Sequence, residues 1–129
     1  MSAPLILVLE DNLANKRLLE RYLIAKGYRV AGAENTREAD AQLEREVPAL
    51  VLVDISLPEE DGLSWVRRVR PSQPRLRFVA LTAHSLETDR LRAIDAGCDA
   101  FITKPVELKV LIEQIQECLQ HQSPAQSVA

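Results

Sequence analysis

The chain has 129 residues, of which 47% are hydrophobic and 27% are charged, with a formal net charge of -3 at pH 7. It is long enough for one domain that buries roughly two thirds of its unfolded surface. The negative charge argues against a nucleic-acid partner, and no apolar run approaches the ~18 residues that a membrane span needs. Cys98 and Cys118 lack metal-binding spacing and are interpreted as buried thiols of a cytoplasmic protein.

Short apolar runs alternate with helical patterns along the chain. Residues 5–9 (Leu-Ile-Leu-Val-Leu) and 50–54 (Leu-Val-Leu-Val-Asp) are continuous runs of the kind found in strands buried on both faces of a parallel sheet. Periodicity alone does not exclude a buried helical turn at 50–54, but its length and the Pro and Gly breakers that follow favour a strand. Shorter or weaker strands are predicted at residues 28–33, 77–81 and 100–103.

Helical patterns fill the segments between and after these strands. Asn12 and Asn35 are suited to cap the first two helices, and Gly27 follows the first helix where a left-handed residue is favoured. In the fourth helix we expect Leu91 and Ile94 to face the core. The predicted helices cover residues 13–26, 37–46, 63–70, 86–96 and 107–120.

Five strands that alternate with five helices predict an α/β fold, with a parallel sheet covered on both faces. Right-handed crossovers restrict such a chain to doubly wound topologies, and the five-stranded, flavodoxin-like (βα)5 form has the strand order 2-1-3-4-5. Its ligand site lies at the carboxyl edge, between the first and third strands. Residues 1–120 are expected to form this domain, and the polar residues 121–129 to form a disordered tail.

Acidic residues end the two strands that flank this point of the sheet. Glu10 and Asp11 follow the first apolar run, and Asp54 ends the third strand. Three carboxylates in surroundings of low dielectric repel one another, and a hard divalent cation such as Mg²⁺ would relieve the repulsion. Thr82 and Lys104 end the fourth and fifth strands at the same edge. Carboxylates, Mg²⁺ and a lysine together handle phosphoryl groups, and a carboxylate can itself be the nucleophile.

Four local motifs accompany these strand-end residues. They are Glu10-Asp11-Asn12, Asp54-x-x-Leu-Pro-x-x-Asp-Gly, Thr82-Ala83, and Gly97-Cys98-Asp99-Ala100-Phe101 before Thr103-Lys104-Pro105. Each motif alone is weak evidence, but their order and separations together are specific. Over about residues 5–119 the chain resembles the receiver domain of bacterial two-component response regulators, either as a stand-alone protein or as part of a hybrid histidine kinase.

The resemblance implies a role for each acidic residue. Asp54 would accept a phosphoryl group from a phosphohistidine on a histidine kinase or a histidine phosphotransfer protein. Mg²⁺ would be held directly by Asp11 and Asp54, through water by Glu10, and by the backbone carbonyl of Ser56. The protein would then be a phosphoacceptor in a signalling relay and not an enzyme, apart from self-catalysed phosphorylation and dephosphorylation.

The resemblance also implies how the domain responds to phosphorylation. Thr82 would donate a hydrogen bond to the phosphoryl group, and Lys104 would contact its oxygens. Phe101 would be the switch aromatic that turns inward, which changes the face formed by the fourth helix, the fifth strand and the fifth helix, and with it the affinity for an unknown protein target. The peptide bond between Lys104 and Pro105 is expected to be cis, although only about 5–6% of X–Pro bonds are.

Some positions leave alternatives open. Phe101 stands where a tyrosine is frequent, so a switch here lacks a phenolic hydroxyl. Ser56 and His84 flank the phosphoryl position, where side chains affect its lifetime, but His84 is interpreted first as an exposed loop residue. No output domain follows the last helix in this sequence, which is compatible with a stand-alone receiver and with a fragment of a larger protein.

An enzyme is the competing class of function. An aspartate-nucleophile phosphatase of the haloacid dehalogenase type needs a second Asp two residues after the nucleophile, and this chain has Ser56 there. A nucleotide-binding or flavodoxin-like module is excluded because no Gly-rich phosphate loop follows the first strand, where Glu10 and Asp11 would repel phosphate. The third alternative is a receiver that acts as a scaffold without phosphorylation, and the intact acidic set argues against it.

Overall fold

The computed structural model describes residues 3–55, 57, 61–83 and 87–120 of the chain. The predictions for Ser56, His84 and the tail at residues 121–129 fall outside these described residues. Within them, strands and helices alternate from the first element to the last, as the alternating patterns in the sequence predict.

Five strands run through the described residues, and an α-helix follows each of them. The strands are β1 (Leu5–Leu9), β2 (Arg29–Ala33), β3 (Leu50–Asp54), β4 (Arg77–Thr82) and β5 (Ala100–Thr103). The helices are α1 (Leu13–Ala25), α2 (Thr36–Arg45), α3 (Gly62–Val69), α4 (Glu87–Ala96) and α5 (Leu108–Gln120), and a 3₁₀ turn at Arg70–Ser72 extends α3. The predicted bounds agree with these to within one residue.

The strands form one parallel sheet in the predicted order β2-β1-β3-β4-β5. Leu9 pairs with Val53, and Asp54 pairs with Leu81, so the carboxyl ends of β1, β3 and β4 lie level with one another. The winding direction reverses at β1, because β2 lies on one side of it and every later strand lies on the other. Ligands bind in the crevice that such a reversal leaves at the carboxyl edge.

The side chains of the central strands alternate between two hydrophobic layers. In β1, Leu7 and Leu9 belong to the layer that also holds residues of α2, α3 and α4, whereas Ile6 and Val8 belong to the layer that holds residues of α1 and α5. Trp65 of α3 is fully buried in the first layer. Because both faces of the central strands are covered, their sequences are continuous apolar runs and do not alternate.

The buried face of α4 differs from the one predicted. Leu91 and Ile94 are about half exposed, at 52% and 51%, and Ala93 and Ala96 are buried in their place. Two residues along a helix turn through about 200°, so both pairs have helical spacing but point in nearly opposite directions. The prediction was wrong because it assumed that the larger apolar side chains would be buried, whereas α4 packs through alanines that allow close approach.

Local chemistry sets several helix ends. The side chains of Asn12 and Asn35 each accept a hydrogen bond from the backbone N–H three residues later, and Asp61 caps α3 in a similar way. Gly27, after the end of α1, has a φ of +97°, which favours glycine. Across the described ranges we find no helix with the length and apolar character needed to cross a bilayer.

Candidate functional site

Three carboxylates meet at the crevice between β1 and β3. Glu10 and Asp11 follow β1 directly, and Asp54 is the last residue of β3. One carboxylate oxygen from each residue lies within 4.8 Å of the other two. Glu10 and Asp54 are almost fully buried, with 1% and 3% of their surface exposed, whereas Asp11 is exposed. The fold therefore brings together the three acidic residues that the sequence predicts at this edge.

The Lys104 side chain reaches the same cluster from the loop after β5. Its Nζ lies 3.2 Å from Asp54 Oδ2 and 3.2 Å from Glu10 Oε1. The backbone N–H of Lys104 donates a 2.6 Å hydrogen bond to the carbonyl of Thr82, which attaches this loop to the end of β4. The bond between Lys104 and Pro105 is cis, as predicted. One ammonium group thus contacts two of the three acidic residues.

Glu10 has an altered affinity for protons. Burial raises the pKa of Glu10 from its ordinary 4.5 to about 7, and the neighbouring Asp54 carboxylate contributes to the rise. The backbone N–H of Asn12, 3.1 Å from Glu10 Oε2, and the Lys104 ammonium act in the opposite direction. Because these donors do not fully offset burial and repulsion, Glu10 without a bound cation is about half protonated near neutral pH.

Two opposing effects act on Lys104. Burial lowers its pKa, but the charges of Asp54 and Glu10 raise it by more, so that the pKa lies above the ordinary value of 10.5. The side chain is therefore a cation throughout the physiological pH range. It provides a positive charge beside Asp54 Oδ2.

Thr82 and Phe101 lie on the two strands next to Asp54. Thr82 is the last residue of β4, one residue beyond Leu81, the partner of Asp54 in the sheet, and it is fully buried. Phe101 in β5 is partly buried and packs against the layer that includes α3 and α4. The structure thus places the predicted hydroxyl donor at the site edge and the predicted switch aromatic on the adjacent strand.

The oxygen ligands of this cluster suit Mg²⁺. Mg²⁺ prefers hard oxygen donors, and it is commonly bound through one or two carboxylates while it keeps several waters. Burial, and then the neighbouring Asp54 carboxylate, raise the pKa of Glu10, and a divalent cation in the cluster would favour its ionised form. Ser56, whose backbone carbonyl was predicted as a further ligand, lies outside the described residues.

Two contacts near the site were not predicted from the sequence. Gly62 lies so close to Asp54 that a Cβ atom on Gly62 would be 2.5 Å from the Asp54 carbonyl oxygen. Arg92 of α4 donates a 3.0 Å hydrogen bond to Asp61, the residue that caps α3. The sequence identifies Asp61-Gly62 only as a breaker after the third strand and as part of a motif, because no sequence pattern shows which distant atoms a loop will contact.

Comparison with known protein sequences relates the chain to signalling proteins. The pattern of the response regulator receiver domain matches residues 6–116. Over 118 residues the chain is 36% identical to the virulence transcriptional regulatory protein PhoP of Salmonella typhimurium and 34% identical to the transcriptional regulatory protein PhoP of Escherichia coli strain K12. These alignments cover 92% of this chain but 53% of each relative, so the chain spans about half the length of the curated relatives it matches.

Solved structures show the same arrangement of strands and helices. A CheY-like response regulator receiver domain protein from Methanospirillum hungatei superposes with a TM-score of 0.88 at 30% identity, over 94% of this chain and 97% of that one. A response regulator from Thermotoga maritima gives a TM-score of 0.84 at 28% identity, over 92% and 98% of the two chains. In both comparisons nearly the whole of each chain is matched.

Proposed function

This chain belongs to the response regulator receiver domain family of two-component systems, and on that premise we propose that Asp54 is its phosphoacceptor. Response regulators partner with histidine kinases, and the proposed donor here is a phosphohistidine on such a kinase or on a histidine phosphotransfer protein. One observation carries the proposal. The buried Asp54 carboxylate lies 3.2 Å from Lys104 and is grouped with Glu10 and Asp11 at the carboxyl edge of the sheet.

The surroundings of Asp54 fit attack on phosphorus. In the proposed step an Asp54 carboxylate oxygen forms a new O–P bond, the N–P bond of the phosphohistidine breaks, and the imidazole leaves with the bonding electron pair. Lys104 stabilises negative charge on the phosphoryl oxygens. When bound, Mg²⁺ would supply further positive charge for those oxygens. The residues proposed to hold it are Glu10, Asp11, Asp54 and, through its carbonyl, Ser56.

Thr82 and Phe101 are the residues through which we propose that the site alters the surface formed by α4, β5 and α5. The hydrogen bond from the Lys104 backbone to the Thr82 carbonyl supports this, because it joins the ends of β4 and β5 beside the site. Phe101 is only partly buried, so it has both solvent and core within reach. Leu91 and Ile94, exposed on α4, offer apolar contacts to a target protein.

The domain is proposed to act as a phosphoacceptor that at most catalyses its own phosphorylation and dephosphorylation. The family is one of signalling proteins, which supports this assignment. A cytoplasmic location is proposed as well, and the free buried thiols of Cys98 and Cys118 are consistent with it. Burial raises the pKa of Cys98 to about 12 and that of Cys118 to about 11, so neither thiol is an activated nucleophile.

Mass spectrometry after incubation with acetyl phosphate and Mg²⁺ tests the proposal. We expect one added phosphoryl group, mapped to Asp54, in the wild-type protein. Asp54→Asn should abolish the addition, whereas Asp95→Asn, which changes an exposed aspartate on α4, should leave it intact.

Three results would contradict the proposal. Full incorporation in Asp54→Asn would place the phosphoryl group on another residue. Absence of incorporation in a folded wild-type protein that binds Mg²⁺ would favour a scaffold without phosphorylation. Sustained turnover of a generic phosphatase substrate would favour the enzyme alternative.

A further inference from the structure

The guanidinium group of Arg92 connects α4 to the start of α3. Its Nη2 donates a 3.0 Å hydrogen bond to Asp61 Oδ2, and Asp61 Oδ1 accepts a 3.0 Å bond from the backbone N–H of Leu63. The carboxylate of Asp61 therefore caps α3 with one oxygen and bonds α4 with the other. Arg92 thus bonds the residue from which α3 begins.

Gly62, the first residue of α3, packs against the end of β3. A Cβ atom on Gly62 would lie 2.5 Å from the Asp54 carbonyl oxygen and 2.9 Å from Ile55 Cα. Backbone atoms cannot rotate away as the end of a side chain can, so the first turn of α3 lies directly against the backbone of Asp54. Because protein interiors are close-packed, the start of α3 cannot shift toward β3 without displacing that backbone.

Helix α4, which contains Arg92, has little buried surface of its own. Within α4 the buried residues are Ala93 and Ala96, which have the smallest side chains after glycine. Burial of so little apolar surface contributes little free energy. Polar bonds to α3 therefore have a larger share in the placement of α4 than they would for a helix anchored by leucines.

From these contacts we propose that Arg92 is a positioning residue for Asp54, and that it acts from α4 through Asp61 and Gly62. The inference rests on the proposed role of Asp54 as the phosphoacceptor. It connects the α4 surface to the site through the end of β3, separately from the path through Thr82 and β5. By linkage, a change at the site that shifts the backbone of Asp54 also changes the mobility of α4 relative to α3.

The substitution Arg92→Gln tests the connection, with two matched controls. Arg90→Gln removes the same charge from the same helix, but Arg90 bonds Glu87 one turn earlier in α4, at 2.6 Å. Asp95→Asn weakens another contact between α3 and α4, the 3.3 Å bond from Arg67, by removing the negative charge of its acceptor, and leaves Asp61 unchanged. The first control isolates the effect of charge, and the second isolates a general loosening of α4.

Three measurements report on the proposed path. Hydrogen exchange at residues 62–65 of the metal-free protein measures how often the start of α3 opens. Calorimetry measures the Mg²⁺ dissociation constant, and the rate of phosphorylation by acetyl phosphate measures the reactivity of Asp54. In Arg92→Gln we expect faster exchange at 62–65, a dissociation constant about two- to fivefold higher and a rate of phosphorylation about two- to fivefold lower, the range expected for an exposed ion pair. Both controls should remain close to the wild type.

The inference is overturned if Arg92→Gln behaves as Arg90→Gln does in exchange and in Mg²⁺ affinity. It is also overturned if Asp95→Asn has the same effect as Arg92→Gln, because the path would then not run through Asp61. If exchange and Mg²⁺ affinity respond as expected while no protein takes up phosphate, the proposed function of Asp54 fails and the connection from Arg92 to the site stands.

Discussion

Replacement of Glu10 by glutamine should stabilise the metal-free protein at alkaline pH. Burial and the neighbouring Asp54 raise the pKa of Glu10 from 4.5 to about 7, so the folded state holds this proton more tightly than the unfolded state does. The contribution of Glu10 to the free energy of unfolding is therefore fully present below pH 4.5, and it is lost as the pH rises through about 7. At about 1.4 kcal/mol for each unit of pH between the two values, the ionised side chain costs up to about 3 kcal/mol at pH 8.5.

The glutamine variant gains less than this full amount. Glu10 Oε1 accepts a hydrogen bond from Lys104 Nζ at 3.2 Å, and a neutral amide replaces that ionic contact with a weaker one. The pKa of about 7 already includes the attraction of Lys104, so the deduction covers only the imperfect match of an amide to the hydrogen bonds of a protonated carboxyl group, about 1–2 kcal/mol. We therefore expect a net gain of about 1 kcal/mol at pH 8.5, which corresponds to a rise in Tm of roughly 3–6 °C.

Thermal unfolding in the presence of a chelator, at pH 5 and at pH 8.5, measures this gain. At pH 5 the advantage of Glu10→Gln should shrink or reverse, because the wild-type side chain is already protonated in the folded state. Glu113→Gln, at an exposed position on α5, serves as the control and should have little effect at either pH. A Glu10→Gln protein that is less stable than the wild type at pH 8.5, or a difference that does not depend on pH, would refute the reasoning.

Three more expectations concern metal affinity, the packing of α3 and the hydrogen bond between Arg70 and Gly97. Mg²⁺ affinity, measured by calorimetry, should fall as the pH drops below about 7, because the metal must then displace the proton on Glu10. Gly62→Ala should lower Mg²⁺ affinity and the phosphorylation rate by more than Arg92→Gln does, since its Cβ would press on the Asp54 carbonyl; wild-type values would contradict this. Arg70→Ala removes a 2.8 Å hydrogen bond to the Gly97 carbonyl. It should lower the free energy of unfolding, measured with urea, by about 2–4 kcal/mol and leave Mg²⁺ affinity unchanged.

Much of the site could be predicted because parallel strands align their ends. Asp11 and Asp54, which follow or end two of these runs, are 43 residues apart in sequence, yet alternation with helices predicts that both lie at one sheet edge. That prediction needs only the type and order of the elements. The structure confirms it, with the three carboxylates within 4.8 Å of one another.

The orientation of α4 shows where such reasoning stops. Leu91 and Ile94 lie three residues apart, as do Ala93 and Ala96, so helical periodicity allows either pair to face the sheet. The packing of α4 against its neighbours decides between them, and in the structure the alanines are the buried pair. That packing is a property of neighbouring elements, and the sequence of α4 does not contain it.

The sequence by itself determined the ten elements, the strand order and which polar groups share the carboxyl edge, because these depend on local pattern and on the handedness of the crossovers. Only the tertiary structure decided the quantities on which chemistry depends. The 3.2 Å contacts of Lys104, the raised pKa of Glu10 and the approach of Gly62 to Asp54 are among them. The physical reason is that distance and burial arise from atoms that are far apart in the chain, and they become defined only when all the layers have packed together.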